Sequence, residues 1–254
     1  MKKVSGWIYR FIRWLVWVFY PKLKVEGAEN LPDEPCIVVS NHAQMNGPIA
    51  CQLYFPGRRY IWCAGEMMAV KEVPAYAFQD FWSQKPRYIR WFYRLLSYII
   101  APFSACVFNH ADTIAVYHDT RALSTFKNTV ARLQEGANVI IFPEHDVPYN
   151  HILCRFQDRF IDVAKLYYKR TGKCLSFVPM YIAPGLKKII LGKPIVFCPE
   201  TDMEQERKHI CQELMRRITE LAVQLPEHKV VPYRNVPRKY YPSNKEERNE
   251  KAGN

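Results

Sequence analysis

Three polar clusters that could do acid–base chemistry each follow an apolar run in the sequence. They are Asn41-His42 after "CIVVS" (36–40), Asn109-His110 after "SACVF", and Glu144-His145-Asp146 after "NVIIFP" (138–143). A histidine takes up a proton near neutral pH, so it can act as a general base when another group orients its ring. A lone histidine is more often a structural hydrogen-bonding group, but three equivalent clusters indicate a shared site. Because ligand sites of open α/β sheets collect at the carboxyl ends of strands, we expect the clusters to converge if their strands are parallel neighbours.

The elements that must position these clusters alternate between strands and helices. Strands are predicted at 36–40, 58–65, 104–109, 138–143, 175–184 and 188–197, the last as a pair or one bent strand. Helices are predicted at 6–20, 88–100, 119–135, 156–169 and 201–225. This alternation predicts an α/β fold with a central, mostly parallel sheet flanked by helices.

Prolines and caps set several of these predicted boundaries. Pro102 is expected to break the helix 88–100, and Pro74 and Pro86 to leave residues 66–86 irregular. Pro179 argues for an edge, an end or a bulge at its place in the strand 175–184. Thr201, with a glutamate three residues on, is typical of a capping box that starts the last helix.

The composition favours a membrane surface over nucleic acid as the anionic partner. The 254-residue chain is 49% hydrophobic and carries 36 Lys and Arg against 24 Asp and Glu, a formal net charge of +12. Residues 1–24 hold six of the basic residues and no acidic one, so half of the excess charge lies in the most apolar segment. No zinc-finger, RNP or basic-zipper signature appears. The eight cysteines form no C-x-x-C pair and are expected to be reduced thiols in a cytoplasmic setting.

The segment "GWIYRFIRWLVWVFY" (6–20) predicts a helix that lies in a membrane interface. It has 12 apolar or aromatic residues in 15. A helix of this length spans about 22 Å, less than the roughly 30 Å hydrocarbon core of a bilayer. Tryptophan and arginine suit the headgroup boundary, and the expected membrane-binding residues are Trp7, Arg10, Arg13, Trp14 and Trp17. An ordinary amphipathic core helix is the alternative.

The motifs and their order resemble the lysophospholipid acyltransferases, typified by the 1-acylglycerol-3-phosphate acyltransferases. The lead-in "VEGAENLPDEPCIVVSNH" resembles the approach to that family's first motif, and "TFKNTVARLQEGANVIIFPE" resembles the approach to its third. "FVPMYI" resembles the fourth motif, and "LGKPIVF" resembles the strand that follows it. The resemblance covers roughly residues 22–225.

The resemblance implies acyl transfer with His42 as general base. In the family, this histidine activates an acceptor hydroxyl that attacks the thioester of acyl-CoA or acyl carrier protein, and an aspartate five positions on orients it. Acyl-CoA or acyl carrier protein is thus a co-substrate, and no cofactor is implied. Family arginines hold the lysophospholipid phosphate, the third-motif glutamate lies near the acceptor, and the fourth motif helps to line the acyl pocket. The substrate-binding residues implied here are Asn41, His110, Glu144, His145 and Pro179.

The group that would orient His42 is missing from its usual place. Gly47 stands where the family has its aspartate. Asp146 is the first candidate to replace it, followed by Glu66 or Glu144. Asn46 could fix a tautomer by accepting a hydrogen bond but would do little for the imidazolium.

The family's phosphate-holding arginines are also replaced, by His110 and Val147. A clamp made of His110 and His145 would be weak and pH-dependent. Charge could instead come from the arginines at 87, 90 and 94. A lysolipid with another headgroup, or an amine or hydroxyl on a different lipid, therefore becomes a plausible acceptor.

The sequence thus predicts a membrane-associated O-acyltransferase of phospholipid biosynthesis, peripheral or monotopic, at the cytoplasmic face of the cell membrane. We divide the chain into an interfacial helix (1–24), an acyltransferase-like α/β domain (25–230) and an extended or disordered tail (231–254). The alternatives are a catalytically impaired lipid- or acyl-CoA-binding relative and, more distantly, a peripheral hydrolase of lipid esters or thioesters. Its partners are membrane lipids and the acyl donor, with no nucleic acid. No metal is expected, since the spacing of His145, Asp146 and His151 matches no common zinc site.

Overall fold

The structure, a computed structural model, describes residues 2–83, 85–117 and 119–245. The helices in these ranges are α1 (Lys2–Phe19), α2 (Asn46–Tyr54), α3 (Val73–Ala77), α4 (Arg90–His110), α5 (Ala122–Gln134), α6 (Asp162–Thr171) and α7 (Met203–Gln224). The strands are β1 (Lys24–Glu26), β2 (Ile37–Ser40), β3 (Arg59–Ala64), β4 (Thr113–Val116), β5 (Asn138–Ile141), β6 (Glu144–Pro148), β7 (Cys154–Phe156), β8 (Ser176–Ala183), β9 (Lys188–Leu191) and β10 (Ile195–Val196). The predicted α/β class, with mainly parallel pairing and flanking helices, is confirmed.

The chain forms two compact units. The smaller comprises the described residues up to Tyr20 together with Tyr60–Asn128, and the larger comprises Pro21–Arg59 together with the described chain from Thr129 onward.

The sheet of the larger unit has the strand order β1-β9-β8-β2-β5, with β10 also paired to β8. β2 runs parallel to both of its neighbours, β5 and β8, and β1 runs parallel to β9. All four residues of β2 are buried, which explains why its sequence is a continuous apolar run rather than an alternating one.

α7 packs on β8 with Ile210, Leu214 and Ile218 buried. Its N-cap is Asp202, whose side chain accepts from two backbone N–H groups, so the predicted capping box at Thr201 is wrong.

Pro179 lies inside an interior strand, so its predicted place at an edge, end or bulge is wrong. It is paired in register with Val39 of β2. On the other side of β8, the pairings with β9 and β10 leave a gap at this position. The Gly192 N–H donates to the Pro179 carbonyl at 2.8 Å across that gap. Since the N and O of one strand residue point to the same side, the missing N–H of Pro179 faces the gap and no ladder bond is lost.

The smaller unit contains the parallel pair β3–β4, and α1 packs on α4. α4 continues through Pro102 to His110, so the predicted break and the predicted strand at 104–109 are both wrong. A proline inside a helix costs about 3 kcal/mol. Packing offsets that cost, because Ala101 lies in a buried cluster with Met67, Val73 and Ala77.

Other stretches also depart from the sequence-based expectations. Within 66–86, predicted to be irregular, α3 is followed by a short π-helix at Phe78–Trp82. β4 and the hairpin β6–β7 were not predicted. Residues 231–245, predicted as the start of an extended or disordered tail, pack instead on the larger unit, with Ser243 and Asn244 buried. The rest of the predicted tail, 246–254, lies outside the described residues.

Candidate active site

Two of the three polar clusters meet at the carboxyl ends of β2 and β5. These strands are parallel neighbours with Val39 opposite Ile141, and continuing that register sets His42 opposite Glu144. The His42 backbone N–H donates to Glu144 Oε2 at 2.6 Å. The third cluster belongs to the smaller unit, where it ends a helix rather than the predicted strand. There His110 Nδ1 donates to the Cys106 carbonyl at 2.7 Å, and the ring stacks on Tyr9.

A left-handed turn after β2 orients the His42 ring. Ala43 and Gln44 have φ values of 47° and 55°, a conformation that non-glycine residues rarely adopt. The turn brings the Gln44 carbonyl oxygen to 2.7 Å from His42 Nδ1. A carbonyl can only accept, so this bond fixes the proton on Nδ1 and leaves the lone pair of the neutral ring on Nε2. The half-buried ring lies between Phe142 and Tyr233, with centroid distances of 5.2 and 5.7 Å.

Gly47 closes the space in which the family's aspartate would be expected. It is the second residue of α2, and its N–H donates to the His42 carbonyl at 3.1 Å. A Cβ on Gly47 would lie 2.3 Å from that carbonyl oxygen and 2.9 Å from Phe142 Cε1. A side chain does not fit here unless the turn moves. The conformation of the turn therefore depends on glycine at position 47.

The two other residues predicted to act with His42 have different partners. Asn46 Nδ2 donates to the Ala43 carbonyl at 3.1 Å and so supports the left-handed turn. The Asp146 side chain is 75% exposed and forms an ion pair with Arg234 at 3.3 Å. The residues after Glu144 run along the hairpin strand β6, and the described side-chain partner of Asp146 is Arg234 rather than His42. The orienting contact comes instead from the main chain of Gln44.

Glu144 holds the backbone of the site rather than the imidazole ring. It is buried, with Oε2 bonded to the His42 N–H and Oε1 accepting from the Cys154 N–H at 2.9 Å. Burial raises the Glu144 pKa to about 7, against the opposing effect of the two backbone hydrogen bonds. The carboxyl group thus ties the end of β2 to the β6–β7 hairpin.

Asn41 and Pro179, predicted to bind substrate, lie inside the sheet. Asn41 Oδ1 accepts from the Ile182 N–H at 2.8 Å, and its Nδ2 donates to the Ile182 carbonyl at 3.1 Å. The buried amide thereby continues the pairing of β2 with β8 past the end of the strand. Both Asn41 and Pro179 are buried, and these contacts fix the position of the residue that follows, His42.

The predicted anion-binding groups are engaged in local contacts within their own units. His145 Nδ1 accepts from the Val147 N–H at 3.4 Å. In the smaller unit, Arg90 Nε donates to the Lys85 carbonyl, and the Arg94 guanidinium lies over the Phe78 ring. Among the described residues, no group of three or more His, Cys, Asp or Glu side chains is arranged to hold a metal ion.

Sequence reasoning missed the contribution of the C-terminal segment to this site. Tyr233 presents its ring to the edge of His42, and Gln44 Nε2 donates to the Arg234 carbonyl at 3.2 Å and to the Tyr241 hydroxyl at 3.1 Å. The available signal was the run of tyrosines and prolines between 232 and 242, which a solvated tail does not require.

The fold and site define an α/β protein that holds a histidine, with a fixed tautomer, at the carboxyl end of a mainly parallel sheet. Residues 22–182 match the model of the Acyltransferase family, and the chain belongs to that family. Among solved structures it is similar to the 1-acyl-sn-glycerophosphate (LPA) acyltransferase PlsC of Thermotoga maritima. The two share 21% sequence identity over 89% of this chain and 82% of that chain, with a TM-score of 0.46. A search of curated proteins found no match.

Proposed function

We propose that the protein is a membrane-associated O-acyltransferase that moves a fatty acyl chain from acyl-CoA or acyl carrier protein to a hydroxyl of a lysophospholipid or related lipid. Family membership supports acyl transfer as the reaction class. The observation that carries the proposal is the 2.7 Å contact between His42 Nδ1 and the Gln44 carbonyl. It leaves Nε2 as the basic nitrogen of the neutral ring, as a general base requires.

In the proposed reaction, His42 Nε2 takes the proton of the acceptor hydroxyl as its oxygen attacks the thioester carbon. The acyl–oxygen bond forms, the acyl–sulfur bond breaks, and the imidazolium returns the proton to the thiolate that leaves. Nδ1 keeps its proton throughout, and the Gln44 carbonyl accepts from it in both charge states of the ring.

An aspartate beside a catalytic histidine fixes the ring tautomer and stabilises the imidazolium by its negative charge. The Gln44 carbonyl provides the first of these two contributions. In a serine-protease triad, replacing the carboxylate by an amide favours the wrong tautomer and costs about 10⁴ in rate. Here the tautomer is correct, so the remaining deficit is electrostatic, since a carbonyl dipole stabilises an imidazolium less than a full negative charge does. We therefore expect a slower enzyme than one with the aspartate, but an active one.

The acceptor headgroup is proposed only at the level of a lysophospholipid or related lipid. Val147 replaces a cationic residue of the family motif, and His145 accepts a bond from the Val147 backbone. The Arg234 guanidinium is 57% exposed and is paired with Asp146 of this motif.

Membrane association is supported by the exposed aromatic residues of the smaller unit. On α1, Trp7, Trp14 and Trp17 are exposed. The stretch Arg87–His110, which contains α4, is long and apolar enough to cross a membrane by length and composition, and 17% of its apolar window is buried. We propose attachment at the cytoplasmic face of the cell membrane, peripheral or monotopic.

The test is transfer of a radiolabelled acyl chain from acyl-CoA or acyl carrier protein to a panel of lysolipids. His42→Ala should lower the rate by about 10²–10⁴, whereas His145→Ala, a histidine of the neighbouring hairpin, should change it little. Transfer that is undiminished in His42→Ala would refute the proposed base.

The steric closure at Gly47 and the uncharged Val147 favour a second candidate, a lipid- or acyl-CoA-binding relative that has lost catalysis. It predicts saturable binding of acyl-CoA without turnover on any acceptor. Turnover that depends on His42 would exclude it.

A further inference from the structure

The chain from His228 to Lys245 forms a closed loop, which we call the C-terminal loop. The Val230 N–H donates to the Pro242 carbonyl at 2.9 Å, the Asn244 N–H donates to the His228 carbonyl at 3.1 Å, and Lys229 pairs with Ser243. Its two ends are thus held together, and residues 231–241 form its tip.

Buried groups anchor the ends of this loop to the body of the larger unit. Asn244 is fully buried, with Nδ2 donating to the Ala222 carbonyl at 2.8 Å and Oδ1 accepting from the His228 N–H at 2.8 Å. His228 Nδ1 lies 2.9 Å from the Pro226 carbonyl, which fixes the proton there. His228 Nε2 therefore accepts from the Tyr181 hydroxyl of β8 at 2.9 Å. A loop held by so many buried bonds has a defined position rather than that of a loose tail.

The tip of the loop holds the turn that orients His42. Tyr241 exchanges hydrogen bonds with the Gln44 side-chain amide at 3.1 and 3.4 Å, and the Arg234 carbonyl accepts from Gln44 Nε2 at 3.2 Å. Gln44 is the residue whose own carbonyl accepts from His42 Nδ1. Its left-handed backbone is intrinsically unfavourable and persists only where surrounding contacts over-determine it.

We propose that the C-terminal loop positions the catalytic base, and that Tyr241 acts through Gln44 to hold His42 in the tautomer with the proton on Nδ1. The proposal rests on the role proposed above for His42. Tyr241 is a positioning residue, since its described side-chain hydrogen bonds are to Gln44 rather than to the histidine. Residues beyond the matched family region, 22–182, thus complete the site.

The experiment compares Tyr241→Phe with Tyr240→Phe in the full-length protein. Tyr240 is the matched control because it is the adjacent tyrosine and is 64% exposed. The described contact of its side chain is a cation–π pair with Lys239. Loss of about one hydrogen bond predicts a five- to tenfold fall in kcat for Tyr241→Phe, with about the same KM as the unmodified protein. Tyr240→Phe should match the unmodified protein in both.

A second readout does not depend on turnover. Nitrogen-15 NMR of labelled histidine reports which ring nitrogen carries the proton, and the His42 signal is identified by its loss in His42→Gln. The unmodified protein and Tyr240→Phe should show the proton on Nδ1, and Tyr241→Phe should show a mixture of tautomers. An unchanged tautomer in Tyr241→Phe would overturn the proposal even if transfer is detected. Absence of any transfer, with the tautomer shift observed, would instead refute the proposed function and leave the positioning role standing.

If Tyr241→Phe folds poorly, Gln44→Met tests the same hydrogen-bonded pair by changing Gln44 instead of Tyr241. It removes the amide while keeping an unbranched side chain of similar length. If the two groups act together, the double variant should lose little more kcat than either single variant. Independent, multiplicative losses would contradict coupling through this contact.

Discussion

The imidazole of His42 is oriented by a main-chain carbonyl, and the main chain of His42 is held by a carboxylate. Two successive left-handed residues, Ala43 and Gln44, make this arrangement possible. Such conformations cost about 1–2 kcal/mol per residue. The bonds of Glu144 to the His42 N–H and of Asn46 to the Ala43 carbonyl offset part of that cost. At this scale, a strained turn replaces the missing side chain as the means of orienting the imidazole.

Gly47→Ala should destabilise the protein by about 1–3 kcal/mol, although alanine is normally favoured over glycine in a helix. The added Cβ would lie 2.3 Å from the His42 carbonyl oxygen. Gly185→Ala is the control, because a Cβ there meets no heavy atom within 4 Å. Urea denaturation measures both variants. If Gly47→Ala and Gly185→Ala are equally stable, the turn after β2 relaxes without cost. Gly47→Asp would then test whether the aspartate of the family motif can be restored.

Glu144→Gln should remove a pH dependence of stability. The folded-state pKa of Glu144 is raised from 4.5 to about 7, so the folded protein binds this proton more tightly than the unfolded chain. The resulting stabilisation is complete below pH 4.5 and is lost as the pH rises toward 7, a change of about 3 kcal/mol. The unfolding free energy of the unmodified protein minus that of the variant should therefore fall by about this amount between pH 4.5 and 7. Parallel stability curves would contradict a buried Glu144 with a raised pKa.

At the scale of elements, β2 and β5 bring together polar residues that lie about a hundred positions apart in the sequence. The approach was predictable, because both strands read as buried apolar runs and buried parallel strands place their carboxyl ends side by side. For the third cluster, Asn109-His110, the predicted strand was wrong. Its apolar run belongs to α4, where the burial of Ala101 and Ala105 within the smaller unit keeps the helix intact past Pro102. A short apolar run cannot be assigned to strand or helix by its pattern alone.

Asn41→Ala should destabilise the protein by about 2–4 kcal/mol, because it leaves both backbone groups of Ile182 buried without their partner. The control is Asn30→Ala, which removes a single, partly exposed bond to the Leu191 carbonyl and should cost about 1 kcal/mol. Thermal and urea unfolding give both values. If Asn41→Ala is as stable as the control but raises KM, Asn41 binds substrate as the family resemblance implied.

At the scale of the whole molecule, the formal charge of +12 and the exposed aromatic residues of α1 suit an anionic, amphipathic partner surface. The basic residues would be attracted to anionic headgroups, and the tryptophans would lie at the boundary between headgroups and acyl chains. The same surface would bring a lipid substrate and the enzyme together in two dimensions.

Replacing Trp7, Trp14 and Trp17 together with glutamine should weaken binding to phosphatidylglycerol vesicles at least tenfold, since each exposed ring can bury apolar area in the interface. Leu123→Gln is the control, because Leu123 is a 57% exposed apolar residue of α5. Vesicle co-sedimentation at fixed salt measures both. If the triple variant sediments with vesicles as the unmodified protein does, α1 is not the membrane anchor. The exposed face of α4 would then be the next candidate, and Trp91→Gln tests it in the same assay.

The sequence by itself determined the α/β class, the buried strands before His42 and Glu144, and the apolar basic helix at the N terminus, because periodicity, apolar runs and charge are local properties. It also showed, through Gly47, that the expected aspartate is absent. Only the tertiary structure decided what takes the place of that residue. The Gln44 carbonyl reaches His42 through two left-handed residues, and Tyr241 reaches Gln44 across 197 positions of chain. Contacts made by backbone groups and by distant segments leave little trace in residue types, so they appear only when the chain is folded.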